Sequence, residues 1–316
     1  GADPGPACYG LGGDQATVTD ADLILGYLNP ERFFGGELPL DERRAREAIE
    51  RGVARPLGLG VVEAAWGIYN VVNATMANAM RVLSVRRGHD PREFALVAAG
   101  GAGPLHAEML ARELGISLIL VPRESAVFCG AGTLMADLKH QFVRSMPCEL
   151  LQADLARLNQ ALSAMAAEGT ATLRAEGVAK SETRLSASFD LRYAGQFNEI
   201  EIELPYDGAP LTQADLGRLC AAFHDRHDAL FGYRLPREHV ELITVRLTAL
   251  GLTEKPLPKK LAWAGPDPAP ALLGERPACF EGTFVQSRVY DAPGLGYGHR
   301  ITGPALIELP TTTIVL

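Results

Sequence analysis

Residues 93–122 read EFALVAAGGAGPLHAEMLARELGISLILVP, and the fold class turns on this stretch. Phe94 to Ala99 is a short unbroken apolar run, which predicts a strand buried on both faces of a sheet. The run stops at Gly100-Gly101-Ala102-Gly103-Pro104. Leu105 to Leu114 then places Leu105, Met109 and Leu110 on one face and predicts a helix closed by Gly115. Ile116 to Val121 is a second apolar run, ended by Pro122. Strand, glycine loop, helix and strand in that order predict a parallel sheet. Open α/β sheets bind ligands at the carboxyl ends of parallel strands, where glycines let the backbone approach closely. Gly100, Gly101, Ala102 and Gly103 are therefore candidate ligand contacts, and the alternative is a tight turn into a helix.

The segment before this unit, Gly60 to about Gly88, has Val61, Ala65, Ile68, Val72, Met76, Ala79 and Leu83 at helical spacing. Ala64, Val71, Ala74 and Met80 make most of the circumference apolar, which predicts a helix enclosed by protein. Asn70, Asn73 and Arg81 fall on one stripe and each needs a partner, either neighbouring backbone or a ligand. Further upstream, residues 1–19 (GADPGPACYGLGGDQATVT) predict an ordered irregular loop, and Thr19 or Asp20 is expected to cap a short helix through Leu28. Capping is the ordinary duty for Asp20; metal or substrate contact is the sharper one. A helix is also expected from Asp41, and another from about Glu124 to Leu138 with Leu134, Met135 and Leu138 facing inward.

With 316 residues, 47% hydrophobic and 22% charged, the chain is long enough for two cored domains. A net charge of −8 argues against nucleic acid or an anionic membrane as main partner. No apolar run approaches a membrane span. Five scattered cysteines suggest a reducing, cytoplasmic setting rather than a disulfide framework or a metal knuckle. The chain opens on Gly1 in a turn sequence, which points to further polypeptide upstream.

A change of composition near Pro147 places the expected domain boundary there, giving domains 1–146 and 147–316. In the second, Leu151 to Met165 predicts an amphipathic helix, and Arg184 to Tyr193 alternates as a strand with one wet face. Ala194-Gly195-Gln196-Phe197 is expected to close a hairpin with Ile200 to Leu204. Thr212 and Asp215 predict a capping box for a helix carrying His224 and His227, which read as a solvated face rather than a metal pair. Val240 to Leu250 is a further strand, Lys255 to Pro270 a surface connection, and short strands are expected at Thr283 to Tyr290 and from Ala305 onward. This domain therefore reads as α+β with a mainly antiparallel sheet.

Several blocks together resemble the hydantoinase A and 5-oxoprolinase family, which includes nucleotide-binding subunits of acetone and acetophenone carboxylases. They are GADPGPACYG with LGGDQATVTDADLILGYL, VVNATMANAMRVLSVRRGHDPREFALVAAGGAGPLHA, SFDLRYAGQFNEIEIELP and ITGPALIELPTTTIV. The resemblance spans nearly the whole chain but only the carboxyl-terminal half of such proteins. It implies an α/β partial lobe of the actin, Hsp70 and sugar-kinase (ribonuclease H-like) ATPase fold, followed by the α+β domain. The glycine turn would then pack against adenosine, with Asn70 and Asn73 flanking adenine. No Asp-Gly-Gly-Thr phosphate loop occurs here, so the resemblance places phosphate binding upstream. It further implies ATP with Mg2+ or Mn2+, ATP-dependent opening of a cyclic amide or carboxylation of a ketone, a second large subunit of the hydantoinase B type, and an oligomer. The fragment alone is expected to be inactive. Asp20 is the one carboxylate nominated for metal or substrate contact. His106 is nominated to orient a ligand group, against the alternative of capping its helix. Ala16 and Arg123 to Cys129 depart from the family pattern.

Overall fold

The computed structural model describes residues 3–256 and 260–316. The α-helices, in chain order, are α1 (Val18–Ile24), α2 (Glu42–Ile49), α3 (Arg55–Leu57), α4 (Val61–Ser84), α5 (Gly103–Leu114), α6 (Phe128–Met135), α7 (Leu155–Ala175) and α8 (Gln213–Phe231). The strands are β1 (Leu96–Val97), β2 (Ile119–Leu120), β3 (Leu138–Glu149), β4 (Thr183–Tyr193), β5 (Ile200–Pro205), β6 (Val240–Gly251), β7 (Leu272–Phe280), β8 (Thr283–Asp291), β9 (Ala305–Leu309) and β10 (Thr312–Val315). They form two compact units, one of Gly1–Gly132 with Pro258–Leu316 and one of Thr133–Leu257.

This division differs from the expected one at residue 147. Strand β3 runs through Pro147 and pairs with β6, so the chain is already in the second unit there. The last strands belong to the first unit because Ala278, Cys279, Val289, Leu306 and Val315 share its core with α1, α2 and α4. Lys255 to Pro270 was expected to be a plain connection. Residues 257–259 of it lie outside the described residues, and beyond them Trp263 makes a bridge to Tyr297.

In the first unit β1 and β2 pair in parallel, Leu96 opposite Ile119 and Val97 opposite Leu120, with α5 between them in sequence. The parallel reading therefore holds, but the strands are two residues long and not buried on both faces. Phe94 is 53% and Val97 48% exposed, because among the described residues β1 pairs with β2 alone and nothing covers these side chains. The same applies to α4, which buries a single stripe of Ala64, Ala65, Tyr69, Asn73 and Ala77 while Val71 and Leu83 stay exposed. Leu134 and Met135 on α6 also face outward rather than inward. A four-stranded sheet of order β10-β9-β8-β7 completes the unit, antiparallel except for the β8–β9 pair.

Helix α1 begins two or three residues earlier than expected. Thr17 is its N-cap, and Thr17 and Asp20 form a reciprocal capping box. The helix stops at Ile24, because Gly26 takes a left-handed φ of 78°. A side chain at Gly26 would place Cβ 2.3 Å from the carbonyl oxygen of Pro277, so glycine here lets α1 and β7 meet backbone to backbone.

The second unit is an antiparallel sheet of order β3-β6-β4-β5 packed by α7 and α8. Phe189, Leu191, Val245 and Leu247 from the sheet meet Leu158, Leu162, Met165, Leu216, Leu219 and Phe223 from the helices. The β4–β5 hairpin, the capping box at Thr212 and the strand at Val240 are as the sequence predicts. The expected wet face of β4 is closed at its centre: Asp190 is buried and paired with Arg246, and Ser188 donates to Glu201. Gly169 on α7 lets the helix lie directly on the sheet, since a Cβ there would stand 2.7 Å from Ala249 Cβ and 3.0 Å from Phe142 Cε2. Gly169→Val is expected to destabilise this unit by about 1–3 kcal/mol through overpacking, a loss that thermal unfolding would detect.

Candidate functional site

The glycine turn leaves the sheet at Ala98, whose N–H donates to the carbonyl of Leu120 at 2.9 Å. Gly100 has a φ of 91°, a conformation favouring glycine, and its N–H donates to the carbonyl of Ser125 at 2.6 Å. Gly101 and Ala102 are exposed. No side chain caps α5; Pro104 has no N–H and Leu105 N–H donates to the carbonyl of Ala102 at 3.1 Å, so of these three first residues Gly103 alone has an N–H left for solvent or a ligand. The turn between β9 and β10 faces the loop, with the Thr311 carbonyl oxygen 3.4 Å from where a Gly101 Cβ would be. A cavity of about 40 Å³ lies among Asn29, Phe33, Phe34, Gly101, Glu308 and Thr312. Phe34 is held in the left-handed region there, φ 52° and ψ 44°, an uncommon state for a bulky residue.

Beneath the turn is a sealed polar cluster built from three helices. His106 on α5 stacks on Tyr69 of α4 with ring centroids 5.0 Å apart, and its Nε2 is 3.9 Å from Asp22 Oδ2 on α1. Tyr69 OH donates to the carbonyl of Leu105 at 2.9 Å, and Asn73 Nδ2 donates to the carbonyl of Tyr69 at 2.8 Å. Asp22, His106 and Asn73 are all buried, and Asp22 Oδ1, His106 Nδ1 and Asn73 Oδ1 have no hydrogen-bond partner among the described residues. Burial pushes the Asp22 carboxyl up to about 8 and holds the His106 imidazole down to about 4. Both groups are therefore neutral at pH 7, which is how a low-dielectric interior accommodates ionisable groups without an ion pair. The cluster brings α1, α4 and α5 together, with the Tyr69 hydroxyl bonding α4 to the first turn of α5 just after the glycine turn.

The nominated residues separate into distinct roles. Asp20 is fully buried and accepts from the backbone N–H groups of Ala7, Cys8 and Thr17 and from the Thr17 hydroxyl. Its oxygens are committed to clamping the amino-terminal loop, which corresponds to the ordinary reading of this residue. His106 does not cap α5; it lies past the first residues of the helix and points into the core. Asn73 is buried beside Tyr69, whereas Asn70 is half-buried and makes no side-chain hydrogen bond among the described residues. Arg81 leaves the stripe to pair with Glu113.

In the second unit His227 is not on a solvated face. It is buried and bonded to Gln196 and to the carbonyl of Tyr233, while His224 bonds Tyr193. Among the described residues no three His, Cys, Asp or Glu side chains gather as a metal site. Asp22, Tyr69 and Thr311 were not singled out from the sequence. Asp22 carried one signal, its place between Ala21 and Leu23-Ile24-Leu25, which leaves it little polar surface. Thr311 carried none, because it meets the loop through its backbone.

Comparison with known proteins identifies the class. Residues 1–142 match the hydantoinase/oxoprolinase family and residues 148–316 its C-terminal domain. The chain belongs to the hydantoinase/oxoprolinase family. Caprolactamase subunit alpha of Pseudomonas jessenii is 37% identical over 100% of this chain and 46% of its own, and the crystal structure of ATP-dependent caprolactamase from that organism superposes with a TM-score of 0.80. Acetone carboxylase beta subunit of Xanthobacter autotrophicus is 30% identical over 96% of this chain and 44% of its own; a nucleotide-free acetone carboxylase structure superposes with a TM-score of 0.80, 28% identical over 98% of this chain and 45% of its own. The 5-oxoprolinase 1 of Arabidopsis thaliana is 28% identical over 100% of this chain and 26% of its own. This chain thus spans less than half the length of each.

The Asp22–His106 pair has a defined pH signature. Asp22, raised in the fold, loses stability as pH rises from about 4 through 8; His106, depressed, loses stability as pH falls from about 6.5 through 4. The two slopes cancel between about 4 and 6.5, leaving a decline between about 6.5 and 8. Asp22→Asn should abolish that decline and raise the melting temperature at pH 8.5 relative to wild type, as measured by thermal unfolding across this range.

Proposed function

We propose that this chain is the carboxyl-terminal portion of an ATP-dependent enzyme that opens cyclic amides, with the glycine turn contacting the adenosine of ATP. The single observation that carries the reading is the turn at Gly100 to Gly103, exposed at Gly101 and Ala102. It lies at the carboxyl end of a parallel strand and at the uncapped start of α5, in a chain 37% identical to a caprolactamase subunit over its whole length. Flat exposed backbone without side chains suits close packing against a base and ribose. The first unit is on this reading the later part of a lobe of the actin, Hsp70 and sugar-kinase ATPase fold. The remaining strands of that lobe would cover Phe94, Val97, Leu118 and Leu120, which the present strands leave exposed.

ATP, when bound, supplies a phosphoryl group that turns an amide carbonyl oxygen into a better leaving group. This chain's residues would hold the nucleoside, and the buried Asp22–His106–Tyr69 cluster would hold the turn in place. Asn73 takes part in that cluster, and Asn70 is the member of the pair left free to meet a ligand. Mg2+ or Mn2+ would be held by residues elsewhere in the full protein, since Asp20 is saturated by hydrogen bonds.

A second reading, a subunit of an ATP-dependent ketone carboxylase, is favoured by the structural likeness to acetone carboxylase. A third is a non-catalytic assembly module. A companion subunit belongs to either enzyme reading: two of the relatives above are designated subunits, whereas the oxoprolinase holds this region in a much longer single chain. ATP consumption by the full-length protein with a lactam, hydantoin or 5-oxoproline supports the first reading. Consumption only with a ketone and bicarbonate replaces it with the second, and none in either case favours the third. Gly101→Val in the full-length protein is expected to weaken nucleotide binding at least about tenfold, or roughly 1.4 kcal/mol, with little loss of thermal stability. Unchanged affinity in a nucleotide titration would remove the turn from the site.

A further inference from the structure

The hairpin of β9 and β10 sets Glu308 directly opposite Thr313, so the two side chains leave the same face of the sheet. Both are buried, at 5% and 6% exposure, and both line the cavity of about 40 Å³ that Gly101 also lines. Buried polar groups are ordinarily taken up by their neighbours. Here that is true of one carboxylate oxygen only. Glu308 Oε1 accepts from Asn29 Nδ2 at 3.2 Å and pairs with Arg276. Glu308 Oε2 lies 3.2 Å from Arg32 Nε, close enough for an ion pair, yet it accepts no hydrogen bond, and the Thr313 hydroxyl makes none, among the described residues.

The surroundings restrict what the two free oxygens can receive. The guanidinium groups of Arg32 and Arg276 beside Glu308 disfavour a cation, and the carboxylate disfavours an anion. A neutral hydroxyl group fits, because it can donate to Glu308 Oε2 and either donate to or accept from the Thr313 oxygen. A cavity of about 40 Å³ admits a hydroxyl-bearing edge and not a whole ring, since one water molecule takes up roughly 30 Å³ of liquid. Phe34 lines the same cavity, and Phe34, Gly35 and Gly36 are all held at left-handed φ values of 52°, 68° and 89°. Backbone held at such a cost gathers at binding elements.

We propose that Glu308 and Thr313 take the ribose hydroxyls of the nucleotide on the glycine turn, an inference that rests on the nucleotide reading above. Gly101 ties the two features together, being exposed on the turn and part of the cavity wall. The base and sugar ring lie on the turn while a hydroxyl edge enters the cavity, and a carboxylate accepting from a ribose hydroxyl is the chemistry by which dinucleotide sites hold their sugar. The hairpin thereby selects ribonucleotides over deoxyribonucleotides.

The test is a titration of the full-length protein with ATP, 2′-deoxyATP and 3′-deoxyATP. Wild type is expected to bind ATP at least about tenfold more tightly than one or both deoxy analogues. Glu308 also anchors Arg276 and Arg32, so Thr313→Val is the variant that reads the site without breaking an ion pair. It is expected to bring ATP affinity down toward that of the deoxy analogues, with no loss of melting temperature, because the hydroxyl it removes has no partner to lose. Equal binding of ATP and both analogues by wild type overturns the ribose site and leaves the nucleotide reading standing. The same holds if Thr313→Val discriminates as wild type does. A lowered melting temperature of Thr313→Val without nucleotide shows that the hydroxyl serves the fold or a buried water, and overturns the proposal. Failure of wild type to bind ATP at all overturns both readings.

Discussion

Everything in the first unit depends on a backbone-to-backbone junction between segments some 250 residues apart. Cys279 N–H donates to the carbonyl of Leu25 at 2.8 Å, and Tyr27 OH donates to the carbonyl of Cys279. Arg276 donates to the carbonyls of Gly26 and Tyr27 and pairs with Glu308. The absent side chain at Gly26 is what permits the approach. With β7 seated there, β8 to β10 follow in register, and the β9–β10 turn arrives beside Gly101. The far end of the sequence thereby becomes part of the candidate site.

The second constraint is internal. Three helices of different sequence origin meet at Asp22, Tyr69 and His106, and they do so with neutral groups instead of an ion pair. The stacked Tyr69 and His106 rings and the Tyr69 OH to Leu105 carbonyl bond join α4 to α5, while Asp22 of α1 packs against them 3.9 Å from His106 without a hydrogen bond to it. The turn that opens α5 thus starts from a packed helix while Gly101 and Ala102 remain open to solvent. This combination of fixed support and exposed backbone is what recommends it as a binding element.

Legibility in the sequence followed the range of the interactions. The α5 helix, its Gly115 stop, the parallel β1–β2 pair, the β4–β5 hairpin and the Thr212 cap were all readable, because each depends on residues close in sequence. Burial was misjudged wherever an apolar run implied a covering layer: Val97, Val71 and Leu134 have the right chemistry for a core but are left exposed by the described residues. The membership of β7 to β10 in the first unit was not readable, since it rests on carbonyls and on one glycine. Of the candidate site, the glycine loop and Asn73 were visible. Asp22 and Tyr69 looked like ordinary helix residues, and only tertiary packing makes them a cluster.

The second unit leaves and rejoins the chain through adjacent strands, Leu138 lying opposite Gly251. The stem is fastened by Asp137, which accepts from Thr253 N–H at 2.9 Å and pairs with Lys255. The unit's own strands thereby hold its entry and its exit side by side, so the second unit closes on itself where the chain comes in and goes out.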